Sequence, residues 1–81
     1  MKPLQDLNVV VTGALKKMSR SEAYSIIEEN GGFPRKKISG KTNLLVVGDT
    51  PWKTEKLSFA DEHWMINVIT ENEFYSLVGV Q

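Results

Sequence analysis

The sequence contains no cysteine, a single histidine and no apolar run near the roughly 18 residues that cross a membrane. Without cysteine the chain forms neither disulfides nor thiolate metal sites, which fits a reducing compartment. His63 alone provides no metal cluster, and the amino terminus has no apolar signal-peptide region. We therefore expect a soluble, cytoplasmic protein with no metal, cofactor or membrane partner.

Net charge is also lacking, but the charges are unevenly distributed. Residues 1–60 carry ten basic and six acidic side chains, a net charge of +4, whereas residues 61–81 carry four acidic side chains and no basic one. A chain with one basic side can attract a polyanion locally although its total charge is zero. With 81 residues there is room for one domain only.

Two runs of branched apolar residues predict strands that are buried on both faces. The first is Asn8-Val9-Val10-Val11, which ends in Thr12-Gly13, and the second is Leu44-Leu45-Val46-Val47, which ends in Gly48. Phe33-Pro34-Arg35 predicts a short edge strand, because proline cannot donate to a central ladder. A last short strand is expected at residues 66–69.

Capping boxes predict two of three helices. Ser19 followed by Glu22 begins the first, and Thr70 followed by Glu73 begins the last, whose inward stripe is predicted to be Phe74, Leu77 and Val78. A middle helix is predicted from about Thr54, and its inward face is predicted to consist of Leu57, Ala60 and Trp64.

This order, β-α-β-β-α-β-α, predicts an α/β domain: a four-stranded parallel sheet flanked by three helices. Right-handed crossovers give the strand order 2-1-3-4. We assign residues 7–79 to a single domain and residues 1–6, which show no periodicity, to a lead-in or an artificial boundary.

The two central strands should end at one crevice, which is where open α/β sheets bind ligands. There Thr12 offers a hydroxyl and Gly13 an accessible N–H, while Arg20 and Lys56 begin helices and supply positive charge. The set predicts a site for one phosphate. No paired carboxylates and no nucleophile with a base were found, so we expect no catalytic residue. The alternative is that Thr12-Gly13 is only a strand end and a turn.

Six stretches, in order along nearly the whole chain, resemble the BRCT domain family: Val11-Thr12-Gly13, Arg20-Ser21-Glu22-Ala23, Gly31-Gly32, Lys41-Thr42-Asn43-Leu44-Leu45-Val46-Val47-Gly48, Lys56-Leu57 and Ile69-Thr70-Glu71-Asn72-Glu73-Phe74. The resemblance implies a phosphate-binding module in DNA repair or replication proteins, and hence a location near the bacterial nucleoid or, in a eukaryote, in the nucleus. It is greatest to the domains of bacterial NAD-dependent DNA ligases, the replication factor C large subunit and exonuclease-type polymerase subunits. In that subgroup the site is associated with 5′-phosphorylated DNA ends, and its ligands correspond to Thr12, Gly13, Arg20 and Lys56, with Thr42 as a further contact.

Three hypotheses remain open. The first is a non-enzymatic DNA-binding module that recognises a 5′ phosphate, with four secondary DNA contacts: Lys16, Lys17, Lys41 and Lys53. The second is a protein-interaction module that binds a phosphopeptide or an acidic partner segment, with Trp52 in the contact. The third is a structural domain that positions the rest of its parent protein, which would be a ligase, an exonuclease or polymerase subunit, or a clamp loader.

Overall fold

The structure is a computed structural model that describes residues 2–49 and 55–80 of the chain. The described elements follow the predicted order: β1 (Asn8–Thr12), α1 (Arg20–Glu29), β2 (Phe33–Arg35), β3 (Leu44–Val47), α2 (Glu55–Asp61), β4 (Asn67–Thr70) and α3 (Glu71–Val78).

The four strands form one parallel sheet in the order β2-β1-β3-β4, which confirms the predicted fold class and strand order. In the register of this sheet Thr12 pairs with Val47, and Val47 pairs with Thr70. The carboxyl ends of the three longer strands therefore lie side by side at one edge of the sheet. The loops that follow β1 and β3 leave from that edge together.

The apolar side chains of β1 alternate between two cores, one on each face of the sheet. Val9 and Val11 pack with residues of α1 and α3, which cover one face. Val10 packs in a second cluster with Leu45 and with Ala60 of α2, which covers the other face. Because side chains alternate along a strand, Thr12 belongs to the same face as Val10, the face that α2 covers.

Both predicted capping boxes are present. The backbone N–H of Glu22 donates to the Ser19 hydroxyl over 3.2 Å, and that of Glu73 donates to the Thr70 hydroxyl over 3.2 Å. In each box the glutamate also accepts from the backbone N–H of the capping residue. Among residues 2–49 and 55–80, no helix has the length and apolar character needed to cross a membrane.

The segment before β1 packs against the domain, although the sequence analysis placed residues 1–6 outside it. Leu4 is fully buried in the core beneath α1 and α3, and its backbone N–H donates to the Asn30 carbonyl over 3.0 Å. The Asp6 N–H donates likewise to the Gly31 carbonyl. A single buried leucine among polar neighbours produces no periodic pattern, which is why the sequence did not reveal it.

Two of the predicted core positions are wrong. Trp64 is 88% exposed, because α2 ends at Asp61 and the helical spacing that would turn the indole inward does not continue. The buried residue of that region is Ile66, which is 5% exposed. In α3 Leu77 is 45% exposed, whereas Tyr75 is buried. The phenol of Tyr75 has polar partners inside the fold, which are described below.

Candidate functional site

The loops after β1 and β3 are joined by backbone hydrogen bonds at the carboxyl edge of the sheet. The Gly48 N–H donates to the Thr12 carbonyl over 2.8 Å. Ala14 and Asp49 then form an antiparallel bridge, with N–H to carbonyl distances of 3.0 and 2.8 Å. The two sides of the predicted crevice therefore form one connected backbone structure rather than two independent loops.

Gly13 lies where these loops come closest. Its φ of +81° is in the left-handed region, which side chains other than hydrogen disfavour. A Cβ atom at this position would also lie 3.0 Å from the Gly48 carbonyl carbon and 3.0 Å from the Asp49 oxygen. Glycine is thus required twice over, by its backbone conformation and by the approach of the second loop.

Thr12 and Lys56 belong to the same face and the same edge of the sheet. Thr12 is 3% exposed and lies on the face that α2 covers. Since α2 carries the chain from the carboxyl end of β3 back to the start of β4, its first turn lies at the carboxyl edge. Lys56, the second residue of α2, is half-buried there. Topology therefore places Lys56 on the same face and at the same end of the sheet as Thr12.

Arg20 contacts the loop that contains Gly13. It is the first residue of α1, it is exposed, and its Nη2 donates to the Gly13 carbonyl over 3.4 Å. A guanidinium group carries five N–H donors, so this single contact leaves it the capacity to bind an anion beside Gly13. Arg20 therefore adds positive charge next to Gly13.

The loop between β1 and α1 is fastened to α3 by a network that the sequence analysis missed. Glu71 Oε2 accepts hydrogen bonds from the Lys16 N–H at 2.9 Å and from the Tyr75 hydroxyl at 2.8 Å. The Tyr75 hydroxyl in turn accepts from the Lys17 N–H at 3.3 Å. Glu71 and Tyr75 stand four residues apart on α3, a spacing that places them on one helix face and was visible in the sequence.

This network shifts two pKa values in opposite directions. The Lys16 N–H holds the pKa of Glu71 below its ordinary value against the effect of burial, with help from the Tyr75 hydroxyl and the charges of Lys16 and Lys17. Burial, together with donation to Glu71, raises the pKa of Tyr75. At neutral pH Glu71 is therefore a carboxylate that accepts, and Tyr75 is a neutral phenol that donates.

Thr42 and Lys41 lie at the opposite edge of the sheet. They precede β3, while Thr12 pairs with Val47 at its other end. Thr42 lies five positions before Val47 on an extended chain, or about 17 Å away at 3.3 Å per residue. The Thr42 hydroxyl is buried and accepts from the Ser39 N–H over 3.0 Å, so it closes a turn. The resemblance grouped Thr42 with Thr12 as a phosphate ligand, and this register corrects that grouping. Lys41, predicted as a secondary DNA contact, lies at the same distant edge as Thr42.

The remaining predicted residues divide into two groups. Lys16 and Lys17 are exposed in the loop next to Gly13, and their role as secondary DNA contacts stays a prediction. Lys53 and Trp52 lie outside the described residues.

Comparison with known proteins agrees with this arrangement of strands and loops. The family model that describes the BRCA1 C Terminus (BRCT) domain matches residues 1–78. The chain belongs to the BRCT family. This BRCT domain is 42% identical over 78 residues to a DNA ligase of Sulfurihydrogenibium azorense and 39% identical over 77 residues to a DNA ligase of Petrotoga mobilis. These matches cover 96% and 95% of this chain but 11% of each ligase, so the BRCT domain spans about a tenth of their length.

Solved structures with the same fold are more distant in sequence. The BRCT domain superposes with a TM-score of 0.79 on a crystal structure of Rad4 BRCT1,2 in complex with a Mdb1 phosphopeptide. A second structure of Rad4 BRCT1,2, in complex with a Crb2 phosphopeptide, gives a TM-score of 0.78. Both are 19% identical; the matches cover 98% and 96% of this chain and 41% of each Rad4 chain. These structures confirm the fold of the BRCT domain.

Proposed function

We propose that this BRCT domain is a non-enzymatic module that binds phosphate, and that its ligand is DNA with a 5′-phosphorylated end, within a larger DNA replication or repair protein. The observation that supports it best is the convergence of Thr12, Gly13 and Arg20 at the carboxyl edge of the sheet. A hydroxyl, a glycine N–H and a guanidinium group are the donors that a phosphate takes up. Lys56 adds an ammonium group on the same face.

The choice of DNA rests on the relatives and on the charge around the site. The sequences about 40% identical to this chain are DNA ligases, and a protein of that kind is the parent we propose. Next to the site lie the exposed side chains of Lys16 and Lys17. Further phosphates of a DNA backbone would meet these charges, whereas a lone phosphate would not need them.

A phosphopeptide is the competing ligand. The structural neighbours from Rad4 were crystallised with phosphopeptides, and a phosphoryl group on a peptide presents the same oxygens to Thr12 and Gly13. The two ligands differ in the phosphates that flank the site. DNA binding should weaken with salt, with a slope of about 0.9 per phosphate contact, and we expect three to five contacts.

Charge removal at the two edges of the sheet tests the proposal. Arg20→Ala combined with Lys56→Ala should abolish the preference for a duplex with a 5′ phosphate over the same duplex with a 5′ hydroxyl. Lys41→Ala removes a positive charge at the opposite edge and is the matched control, so it should keep the preference. The measurement is fluorescence anisotropy at fixed ionic strength, with a phosphopeptide as competitor. A preference that survives in the Arg20 and Lys56 variant, with its fold intact, would contradict the assignment of the site.

A further inference from the structure

The two acidic residues in the first turn of α3 have different partners. Glu73 completes the capping box, since its Oε1 accepts from the Thr70 N–H at 3.1 Å. Glu71 takes no part in that box. Its carboxylate instead accepts from Lys16 and Tyr75. The amino-terminal end of α3 is therefore capped without Glu71, and Glu71 instead binds the loop after β1.

Tyr75 reinforces the same attachment from within the fold. Its side chain is 3% exposed, and its hydroxyl both donates to Glu71 and accepts from the Lys17 N–H. The ammonium group of Lys17 lies 5.2 Å from the centre of the Tyr75 ring. The backbone N–H groups of Lys16 and Lys17 therefore bind to residues of α3, and the Lys17 ammonium group lies over a ring of the same helix.

A negative charge at Glu71, beside the lysines of the loop, weakens the attraction of a polyanion, so its presence needs a compensating role. Glu71 is held as a carboxylate close to Lys16 and Lys17, so its charge opposes the attraction of these lysines for phosphate. Its hydrogen bonds, in contrast, fix the backbone of the loop that leads out of Gly13. Ordering a binding loop in advance raises affinity, because that entropy is no longer lost when the ligand binds.

We propose that Glu71 and Tyr75 are positioning residues of the phosphate site, which hold the loop from Gly13 to Met18 in the conformation that presents the Gly13 N–H and the lysine side chains to DNA phosphates. This inference rests on the proposed function. It extends the site to a third element, α3, and it assigns Lys16 and Lys17 to the phosphates that flank the terminal one.

Two conservative variants test the inference in the 81-residue chain. Tyr75→Phe keeps the buried ring and removes the hydroxyl that bridges Glu71 and Lys17. Glu71→Gln keeps the size of the side chain and removes its charge. Each should weaken binding of the 5′-phosphorylated duplex by about three- to ten-fold, as expected for the loss of one or two hydrogen bonds. Hydrogen exchange at the Lys16 and Lys17 amides should accelerate in both variants.

Glu73→Gln is the matched control, because it removes a negative charge from the same helical turn and glutamine still completes a capping box. By charge alone, both Glu71→Gln and Glu73→Gln should bind DNA more tightly. A positioning role predicts that the two variants differ in their affinity for DNA: Glu71→Gln should bind more weakly than wild type, and Glu73→Gln should bind equally well or more tightly.

The outcomes separate this inference from the function on which it rests. A wild-type chain that shows no preference for the 5′ phosphate overturns the proposed function, and the inference with it. A wild-type preference for the 5′ phosphate, together with unchanged affinity of both Tyr75→Phe and Glu71→Gln for the 5′-phosphorylated duplex, overturns the inference alone. Circular dichroism and the melting temperature of each variant establish that the loss of binding comes from a folded protein.

Discussion

Substitution of Gly13 by alanine should cost far more stability than the same substitution at Gly79. Both glycines have left-handed backbones, with φ of +81° and +77°. They differ in their surroundings: a Cβ at Gly13 would lie 3.0 Å from two backbone atoms of the second loop, while among the described residues, chain neighbours aside, no atom lies within 4 Å of a Cβ at Gly79. The pair therefore separates the cost of the backbone conformation from the cost of the close approach.

The conformational part applies to both variants. A left-handed backbone costs an alanine about 1 to 2 kcal/mol, and the reduced entropy of the unfolded chain returns about 0.4 to 1 kcal/mol. Gly79→Ala should thus lower the free energy of unfolding by about 1 kcal/mol. Gly13→Ala adds an overpacking penalty of roughly 1 to 3 kcal/mol, because the obstructing atoms belong to hydrogen-bonded backbone and cannot rotate away. We expect a total of about 2 to 4 kcal/mol.

Urea unfolding of the wild-type chain and the two variants measures this difference. For a domain of this size each kcal/mol also shifts the melting temperature by about 4 to 8 °C, so a thermal melt provides a second estimate. Equal losses for Gly13→Ala and Gly79→Ala, within about 0.5 kcal/mol, would refute the claim that the two loops press together at Gly13.

Three further predictions concern the core, the two edges of the sheet and pH. Leu4→Ala should destabilise the domain by about 2 to 4 kcal/mol because it leaves a cavity, whereas Trp64→Ala should change the free energy of unfolding by less than about 0.5 kcal/mol. Equal changes of the two variants in urea unfolding would show that Leu4 is not part of the core. Thr12→Ala should weaken phosphate binding, whereas Thr42→Ala should leave binding unchanged and lower the free energy of unfolding by about 1 kcal/mol, because the hydrogen bond from the Ser39 N–H is lost; anisotropy and thermal melts measure the two effects. The lowered pKa of Glu71 stabilises the fold above the ordinary glutamate value of about 4.3, and this contribution is lost as the pH falls through the lower folded value. The difference in melting temperature between wild type and Glu71→Gln should shrink over that acidic range, and a constant difference would contradict the linkage.

Local patterns predicted the central part of the fold. The valine run of β1 and the Leu44–Val47 run identify strands buried on both faces, and right-handed crossovers then determine their order. The position of Thr12 and Gly13 at the carboxyl edge follows from that order. Arg20 follows as well, since its capping box fixes where α1 begins.

The errors arise where long-range contacts outweigh local patterns. Leu4 is buried by partners far along the chain, and nothing near it in sequence indicates this. Trp64 fits the spacing of α2, but the helix ends before it. Thr42 was grouped with the phosphate ligands through resemblance, and the parallel register, which the sequence did imply, places it at the other edge. The hydroxyl of the buried Tyr75 has hydrogen-bond partners in Glu71 and in the Lys17 N–H, and Lys17 lies 58 positions away in the sequence.

The central claim is that the carboxyl edge of this BRCT domain recognises a terminal phosphate on DNA. The most direct test is one equilibrium titration of the wild-type chain with two duplexes of identical sequence, one with a 5′ phosphate and one with a 5′ hydroxyl, at the same salt concentration. A single charge-assisted hydrogen bond is worth about 1.5 to 3 kcal/mol, so we predict at least about tenfold tighter binding of the phosphorylated duplex. Equal dissociation constants for the two duplexes would contradict the claim.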